Sequence, residues 1–255
     1  MAAIKCILGL LVLFAVSAWT EAMVSLTAEV FTQVFMCLYQ NGFQIQGDIA
    51  VPINRNADPC VQTGCKWPKS CDGKVYIPYV IANSYTSQQL SVIATAINSF
   101  SASTCIRFIP RTTQTDYVNI QSLDGCYSYV GRQGNAQTVS LNSEGCIYFG
   151  TVQHELIHVL GFNHEQCRSD RDQHIRILLQ NVIPGEEYNF NKINTLNLGT
   201  PYDYNSVMHY GRSLDSSSVW YFLPTMVAIP DSNAVFGTAT QMSQNDIDRI
   251  NLLYC

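Results

Sequence analysis

Three histidines and one glutamate are spaced like the ligands and the acid–base group of a metal site. His154 and His158 lie four residues apart, so on a helix both imidazoles project from one face and can bind one metal ion at about 2.0–2.1 Å. Glu155 follows the first histidine and can reach water at the metal rather than the metal itself. Gly161 permits a sharp turn after the helix, which brings His164 in as a third nitrogen ligand. The pattern predicts metal-assisted hydrolysis, because three imidazoles leave coordination positions for water and substrate.

Histidines on a buried helix can also be purely structural. That interpretation requires three of the chain's five histidines to fall into this register by accident, so the metal site is favoured. His174 stands alone among polar residues and is interpreted as a structural or surface residue.

The first two histidines need a helix that ends before the third. The sequence predicts this helix from about Thr151 to Gly161, since glycine commonly follows a helix end. Capping boxes predict two more helices, opened by Thr86 with Gln89 and by Ser243 with Asp246. Their core-facing residues should be Leu90, Ile93, Ile97 and Phe100 in one helix and Ile247, Ile250 and Leu253 in the other. β-Rich segments at 75–81, 105–109 and 117–120 predict strands, and the sum is a mixed sheet with three helices, an α+β fold.

Composition excludes several classes of protein. The 255 residues are 47% hydrophobic and 13% charged, which predicts a folded chain rather than a disordered one. A net charge of -5 without a basic run argues against a nucleic-acid partner and against a polybasic membrane-surface protein.

The first residues predict export from the cell. Lys5, an apolar run at 7–16 and small residues at 16–18 are typical of a secretory signal peptide, assigned to residues 1–20, although cleavage after Ala22 also fits. The apolar run is too short for a comfortable membrane span, so we expect a secreted, extracellular protein without a membrane anchor. Ten cysteines minus Cys6 and Cys37 leave eight, most simply four disulfides, with 105 possible pairings.

Several segments resemble one protease family. The run from His154 to Glu165, its continuation through 168–172, and Ser206–Tyr210 resemble the astacin family of metzincin zinc endopeptidases. Segments 67–70, 103–108, 201–204 and 249–254 are similar to the hatching-enzyme group within it. The resemblance implies a metzincin-type zinc protease domain at 56–255. Its expected fold is a twisted mixed sheet with two long helices in the N-terminal half, a zinc cleft, and a C-terminal half that ends in a helix.

The resemblance also implies a role for each site residue. One zinc ion per chain would be bound by His154, His158, His164, a water and, as fifth ligand, Tyr210. Glu155 would take a proton from the water and pass it to the leaving amine. Tyr210, displaced by substrate, would then hydrogen-bond the developing oxyanion.

Other roles concern support and activation. Met208 matches a hydrophobic floor under the zinc, and Glu165 matches an acid that meets the new N-terminus of the mature enzyme, here the ammonium of Asn56. Residues 21–55 would form a propeptide, removed by a trypsin-like protease at Arg55–Asn56. Its segment 46–49 is similar to a family motif whose aspartate, here Asp48, keeps the zymogen latent; Ile45 departs from the phenylalanine usual there.

For the cysteines the resemblance implies three pairs: Cys105 with Cys255, Cys126 with Cys146, and Cys60 with Cys65. Cys71 and Cys167 have no counterpart in the family pattern. We expect them to form a fourth disulfide; the alternative is a thiol near the metal that competes for zinc.

The resemblance further implies an extended polypeptide substrate that lies along an edge strand near 127–130, and the expected state is a monomer. Egg-envelope proteins and other extracellular proteins both remain possible substrates. The alternative from another class is a non-catalytic secreted binding protein on a protease scaffold.

Overall fold

The computed structural model describes residues 43–52, 64–212 and 223–255. The predicted signal peptide, the processing bond Arg55–Asn56 and Cys60 lie outside these ranges. Residues Ile45–Cys255 form one compact unit. Among the described residues, no helix has the length and apolar character needed to cross a membrane.

Nine strands and three α-helices make up the described fold. The strands are β1 Phe43–Gln46, β2 Ile49–Pro52, β3 Val75–Ile81, β4 Ile106–Pro110, β5 Tyr117–Gln121, β6 Cys126–Ser128, β7 Ala136–Leu141, β8 Ile175–Ile177 and β9 Met226–Ala228. The α-helices are α1 Ser87–Ser103, α2 Phe149–Val159 and α3 Gln244–Tyr254. Short 3-10 helices cover Glu165–Cys167, Arg171–Gln173, Leu179–Asn181 and Glu187–Phe190.

Seven strands form one mixed sheet, in the order β1-β2-β6-β7-β5-β3-β4. Strands β4, β3, β5 and β7 are parallel neighbours, whereas β6 is antiparallel to β7, with Tyr127 opposite Ser140. β8 and β9 form a separate antiparallel pair. The mixed sheet with three helices confirms the predicted α+β class.

Both capping boxes predicted from the sequence are present. Thr86 accepts from the Gln89 amide at 3.3 Å and donates its own amide to the Gln89 side chain at 2.9 Å. Ile93, Ile97 and Phe100 on α1 are buried as predicted, but Leu90 is 38% exposed. The prediction was wrong for Leu90 because this residue lies in the first turn of α1, beyond the edge of the core.

Two hydrophobic clusters flank the predicted site. The larger one joins the sheet to all three α-helices and includes Ile77, Phe100, Leu156 and Ile250. The smaller one comprises Ile175, Val182, Phe190, Tyr202, Met226, Ala228 and Phe236, and Tyr210 packs against it. Helix α2 is therefore held by the larger cluster and Tyr210 by the smaller one.

Disulfides link distant parts of the chain. Cys105 bonds to Cys255 at the end of α3, and Cys126 bonds to Cys146 just before α2, the two pairs that the resemblance implied. Cys65 is also disulfide-bonded.

The predicted disulfide between Cys71 and Cys167 was wrong. Cys71 is exposed in the turn before β3, whereas Cys167 is buried, and its thiol donates to the Asn189 carbonyl at 3.2 Å. Both cysteines are free thiols in the structure, one at the surface and the other in the interior. Burial also raises the pKa of the Cys167 thiol to about 12, which disfavours the thiolate that a competing zinc ligand would need.

Candidate active site

Helix α2 ends in a turn that the glycine makes possible. Gly161 has φ +98°, a left-handed conformation that favours glycine. Its amide donates to the His158 carbonyl at 2.8 Å, and the Phe162 amide donates to the Ile157 carbonyl at 3.3 Å. These two bonds form a Schellman motif, which stops the helix and redirects the chain toward His164.

Two backbone carbonyls fix the imidazoles of α2. Phe162 O accepts from His158 Nδ1 at 2.8 Å, and Val207 O accepts from His154 Nδ1 at 2.7 Å. A carbonyl can only accept, so each Nδ1 carries a proton, which leaves Nε2 as the ring atom that can bind a metal ion. Such outer hydrogen bonds are the usual way in which a metal-binding histidine is oriented.

The three Nε2 atoms converge with one carboxylate. His158 Nε2 lies 3.1 Å from both His154 Nε2 and His164 Nε2. Asp48 places one oxygen 2.9 Å from His154 Nε2 and the other 2.7 Å from His164 Nε2. The ligand atoms of all four residues lie within 4.8 Å of one another.

This donor set fits a zinc ion. Nitrogens bound tetrahedrally at about 2.0–2.1 Å lie about 3.3 Å apart, close to the observed separations. Three imidazoles with one carboxylate are also the donor types that zinc takes in proteins.

The electrostatics of the cluster favour a cation. Burial alone would raise the pKa of Asp48, but His164 and His154 hold it well below its ordinary value. Burial would lower the pKa of His154, yet Asp48 raises it to about 9. Burial and the two neighbouring histidines lower the pKa of His158 well below its ordinary value. The carboxylate therefore stabilises positive charge between the imidazoles, where a metal ion would lie.

Glu155 is a buried acid without a protein partner on one oxygen. The residue is 1% exposed, and its Oε2 has no hydrogen-bond partner among the described residues. Burial, and then the charge of Asp48, raise the pKa of Glu155 well above its ordinary value. An open cleft of about 470 Å³ is lined by Glu155, Asp48, His154 and Tyr210 among others. A carboxyl group with a raised pKa beside such a cluster is suited to accept and return a proton.

Tyr210 points its hydroxyl into the same cluster. The hydroxyl donates to Asp48 Oδ1 at 3.2 Å, and the ring lies 4.4 Å from that of His164, centroid to centroid. The backbone amide of Tyr210 donates to the Gln166 side chain at 3.1 Å.

Met208 and Glu165 support the histidines from the buried side. Met208 is 3% exposed, and its carbonyl accepts from the Glu165 amide at 3.0 Å. The Glu165 carboxylate is bound by Arg249, by Arg168 at 3.3 Å and by the Asp203 amide at 2.7 Å. Sequence reasoning paired neither arginine with Glu165: Arg249 lies 84 positions away, and Arg168, only three positions away, was not considered as its partner.

The predicted substrate strand is covered in this structure. β2 lies parallel to β6, with Ile49 opposite Ser128, and the Ser128 amide donates to the Asp48 carbonyl at 2.9 Å. The expected edge near 127–130 is therefore occupied by residues of the predicted propeptide.

Comparison with known proteins identifies the family. The family model described as astacin, a peptidase family, matches residues 62–255. The chain belongs to the astacin family. High choriolytic enzyme 1 of Oryzias latipes is 48% identical over 210 residues, which cover 82% of this chain and 77% of that protein. The low choriolytic enzyme of the same fish is 43% identical over 212 residues, again 82% and 77% of the two chains.

The solved structure of one of these relatives has the same fold. The structure of high choriolytic enzyme 1, described as a hatching enzyme zinc-protease from medaka fish, aligns with a TM-score of 0.74 at 48% identity. The alignment covers 78% of this chain and 98% of that one. The chain is thus an astacin metalloendopeptidase, and its histidine cluster fits the zinc that such an enzyme uses.

Proposed function

We propose that this astacin is a secreted endopeptidase made in a latent form. His154, His158 and His164 hold the zinc, Glu155 carries the proton, and Asp48 blocks the site until the propeptide is removed. The observation that carries the proposal is the Asp48 carboxylate, which lies within 2.9 Å of two imidazole nitrogens in the cleft that Glu155 and Tyr210 also line.

A zinc ion held by the three imidazoles supplies Lewis-acid chemistry, polarising the peptide carbonyl and lowering the pKa of water toward about 7. Glu155 then takes a proton from the attacking water and returns it to the leaving amine. Burial supports this role, since a raised pKa brings the carboxyl group closer to the working pH. The Tyr210 hydroxyl, which donates a hydrogen bond to Asp48 in this structure, would donate one to the developing oxyanion instead.

The substrate lies extended along β6. Main-chain hydrogen bonds to an exposed strand edge hold a peptide without requiring a particular sequence. β2 now uses that edge, and the Ser128 amide is bound by the Asp48 carbonyl. The propeptide therefore competes for the same edge and for the same imidazoles.

Removal of residues 21–55 by a trypsin-like protease at Arg55–Asn56 would activate the enzyme. The new ammonium of Asn56 would approach Glu165, which is 2% exposed and borders a cavity of about 70 Å³. The mature domain is then 56–255, and we expect it to act as a monomer outside the cell after loss of a signal peptide at 1–20.

Egg-envelope protein is the proposed substrate. The support is the similarity to two choriolytic enzymes, one of which is described as a hatching enzyme. Digestion of isolated egg envelopes, compared with casein at equal enzyme concentration, tests this part. Cleavage of casein alone would assign the enzyme to other extracellular proteins.

Casein digestion by the purified protein, before and after trypsin treatment, tests the catalytic proposal. We expect activity after treatment only, its loss with a zinc chelator and its return with added zinc. Glu155→Gln should keep zinc and lower kcat/KM by about 10²- to 10⁴-fold, because the proton carrier is gone. Glu144→Gln, the same change at an exposed residue, is the control. Normal turnover by Glu155→Gln, or activity that survives metal removal, would refute the proposal.

A further inference from the structure

The segment from Gly237 to Asp246 packs closely against both halves of the zinc site. A Cβ on Gly150, at the start of α2, would lie 2.6 Å from the Thr240 carbonyl oxygen. A Cβ on Gly237 would overlap the Cα of Gly211, directly after Tyr210. These contacts leave the segment little freedom to move relative to the site.

Asp246 connects this segment to the turn that contains Met208. Its side chain is 3% exposed and accepts from Ser206 Oγ at 2.6 Å and from the Val207 amide at 3.0 Å. It also accepts from the Ser243 amide at 2.9 Å, as the capping box of α3 requires. The capping role uses only part of the carboxylate, and the remaining bonds go to the site.

Those bonds fix both peptide planes that flank Val207. The plane containing the Val207 amide is bound directly by Asp246. The plane containing the Val207 carbonyl also contains the Met208 amide, which donates to Ser206 Oγ at 3.0 Å. Since Ser206 is itself bound to Asp246, one carboxylate determines where the Val207 carbonyl points.

The Val207 carbonyl is the group that accepts from His154 Nδ1 at 2.7 Å. A chain of hydrogen bonds therefore runs from Asp246 through Ser206 and Val207 to His154. The last link in this chain is a backbone carbonyl, so Asp246 acts on His154 through the backbone.

We propose that Asp246 is a positioning residue that sets the ring orientation and the Nδ1-protonated tautomer of His154. The proposal rests on the role of His154 as a zinc ligand. One carboxylate oxygen accepts from the Val207 and Ser243 amides, and the other accepts from the Ser206 hydroxyl. An asparagine that keeps its oxygen on the two amides presents its NH₂ group to Ser206 Oγ, so the hydroxyl loses its acceptor and the Ser206 branch is altered.

Two measurements test this role. The first is zinc affinity, determined by competition with a chromogenic chelator, and the second is the absorption spectrum of the cobalt-substituted protein. Asp246→Asn should weaken zinc binding by about 10- to 100-fold, the usual effect of losing an outer hydrogen-bond partner, and should alter the cobalt bands. Ser206→Ala, which removes only one branch, should change both quantities in the same direction by less. It serves as the second variant if Asp246→Asn does not fold.

Two matched variants separate positioning from helix stability. Ser243→Ala removes the hydroxyl that caps α3 at 3.0 Å from the Asp246 amide, and should lower Tm while leaving zinc affinity unchanged. Asp248→Asn makes the same chemical change at a more exposed residue of α3 and should alter neither. Wild-type zinc affinity and cobalt spectrum in Asp246→Asn, or an equal loss of zinc in Ser243→Ala, would overturn the proposal. A wild-type protein that binds no zinc would instead refute the proposed function.

Discussion

The side chains of the three histidines and of Asp48 converge in one cluster, but the histidines are held by many more contacts than Asp48 is. Each imidazole of α2 is held by a backbone carbonyl, and His164 is followed by Glu165, whose carboxylate is bound by two arginines. Asp48 lies instead in a turn between two four-residue strands, β1 and β2. Its side chain is 23% exposed, compared with 0% for His158.

This difference indicates which of the proposed zinc ligands are permanent. Removing a histidine would require unfolding α2 or the turn at Met208, both part of the main core. Removing Asp48 requires only the separation of β2 from β6. A site built in this way can keep its metal while it exchanges one carboxylate for substrate, as the proposed latency requires.

The largest expected effect comes from removing the buried Glu165 carboxylate, which follows His164 and binds Arg249 and Arg168. Glu165→Ala would leave Arg249 and Arg168 buried without their shared carboxylate, and should lower the free energy of unfolding by about 3–5 kcal/mol in denaturant titration. Arg132→Ala, which breaks a more exposed ion pair with Asp116, should cost about 1 kcal/mol or less. Equal losses in the two variants would show that the buried group gives no special support.

Removing the exchangeable ligand should have the next largest effect. Asp48→Ala should raise casein cleavage by the uncleaved protein by about 10- to 100-fold, since charged hydrogen bonds contribute about 1.5–3 kcal/mol. Asp124→Ala, at an exposed aspartate just before β6, is the matched control and should leave the uncleaved protein latent. Unchanged latency in Asp48→Ala would show that strand pairing alone blocks the cleft.

A smaller effect is expected from a substitution at Gly47, in the turn between β1 and β2 that contains Asp48. Gly47 has φ +63°, and a Cβ there would overlap the Tyr210 hydroxyl. Gly47→Ala should therefore displace the turn and activate the uncleaved protein about fivefold or more, measured by the same casein assay.

Gly73→Ala is the control for Gly47→Ala, because it introduces the same kind of backbone strain without a clash with Tyr210. Gly73 has φ +79°, but a Cβ there would meet no atom of the described residues within 4 Å. This variant should stay latent, and equal activation of both variants would mean that general destabilisation, not the contact with Tyr210, releases Asp48.

The parts that the sequence predicted best are those with a local pattern. The spacing of His154 and His158 and the two capping boxes each depend on residues within about one helical turn, so the sequence alone places them. Gly161 likewise marks the helix end through its own backbone conformation. The predicted strands near 75–81, 105–109 and 117–120 agree with β3, β4 and β5 to within one residue.

The parts that were missed depend on contacts between distant residues. Arg249 lies 84 positions from Glu165 and Asp246 lies 40 from Ser206, so no periodicity links them. The expected pairing of Cys71 with Cys167 was wrong because it came from counting cysteines, and a count contains no information on burial. The pairing of β2 with β6 was also missed, since a four-residue strand has too few positions to show an alternating pattern.

The central claim is that the three histidines and Asp48 bind one zinc ion together in the uncleaved protein. Anomalous diffraction at the zinc absorption edge, from crystals of that protein, tests this claim most directly. One peak per chain is expected, about 2.0–2.2 Å from the Nε2 atoms of His154, His158 and His164 and from a carboxylate oxygen of Asp48. The absence of a peak among the three imidazoles, or a zinc ion there with Asp48 out of bonding distance, would contradict this account.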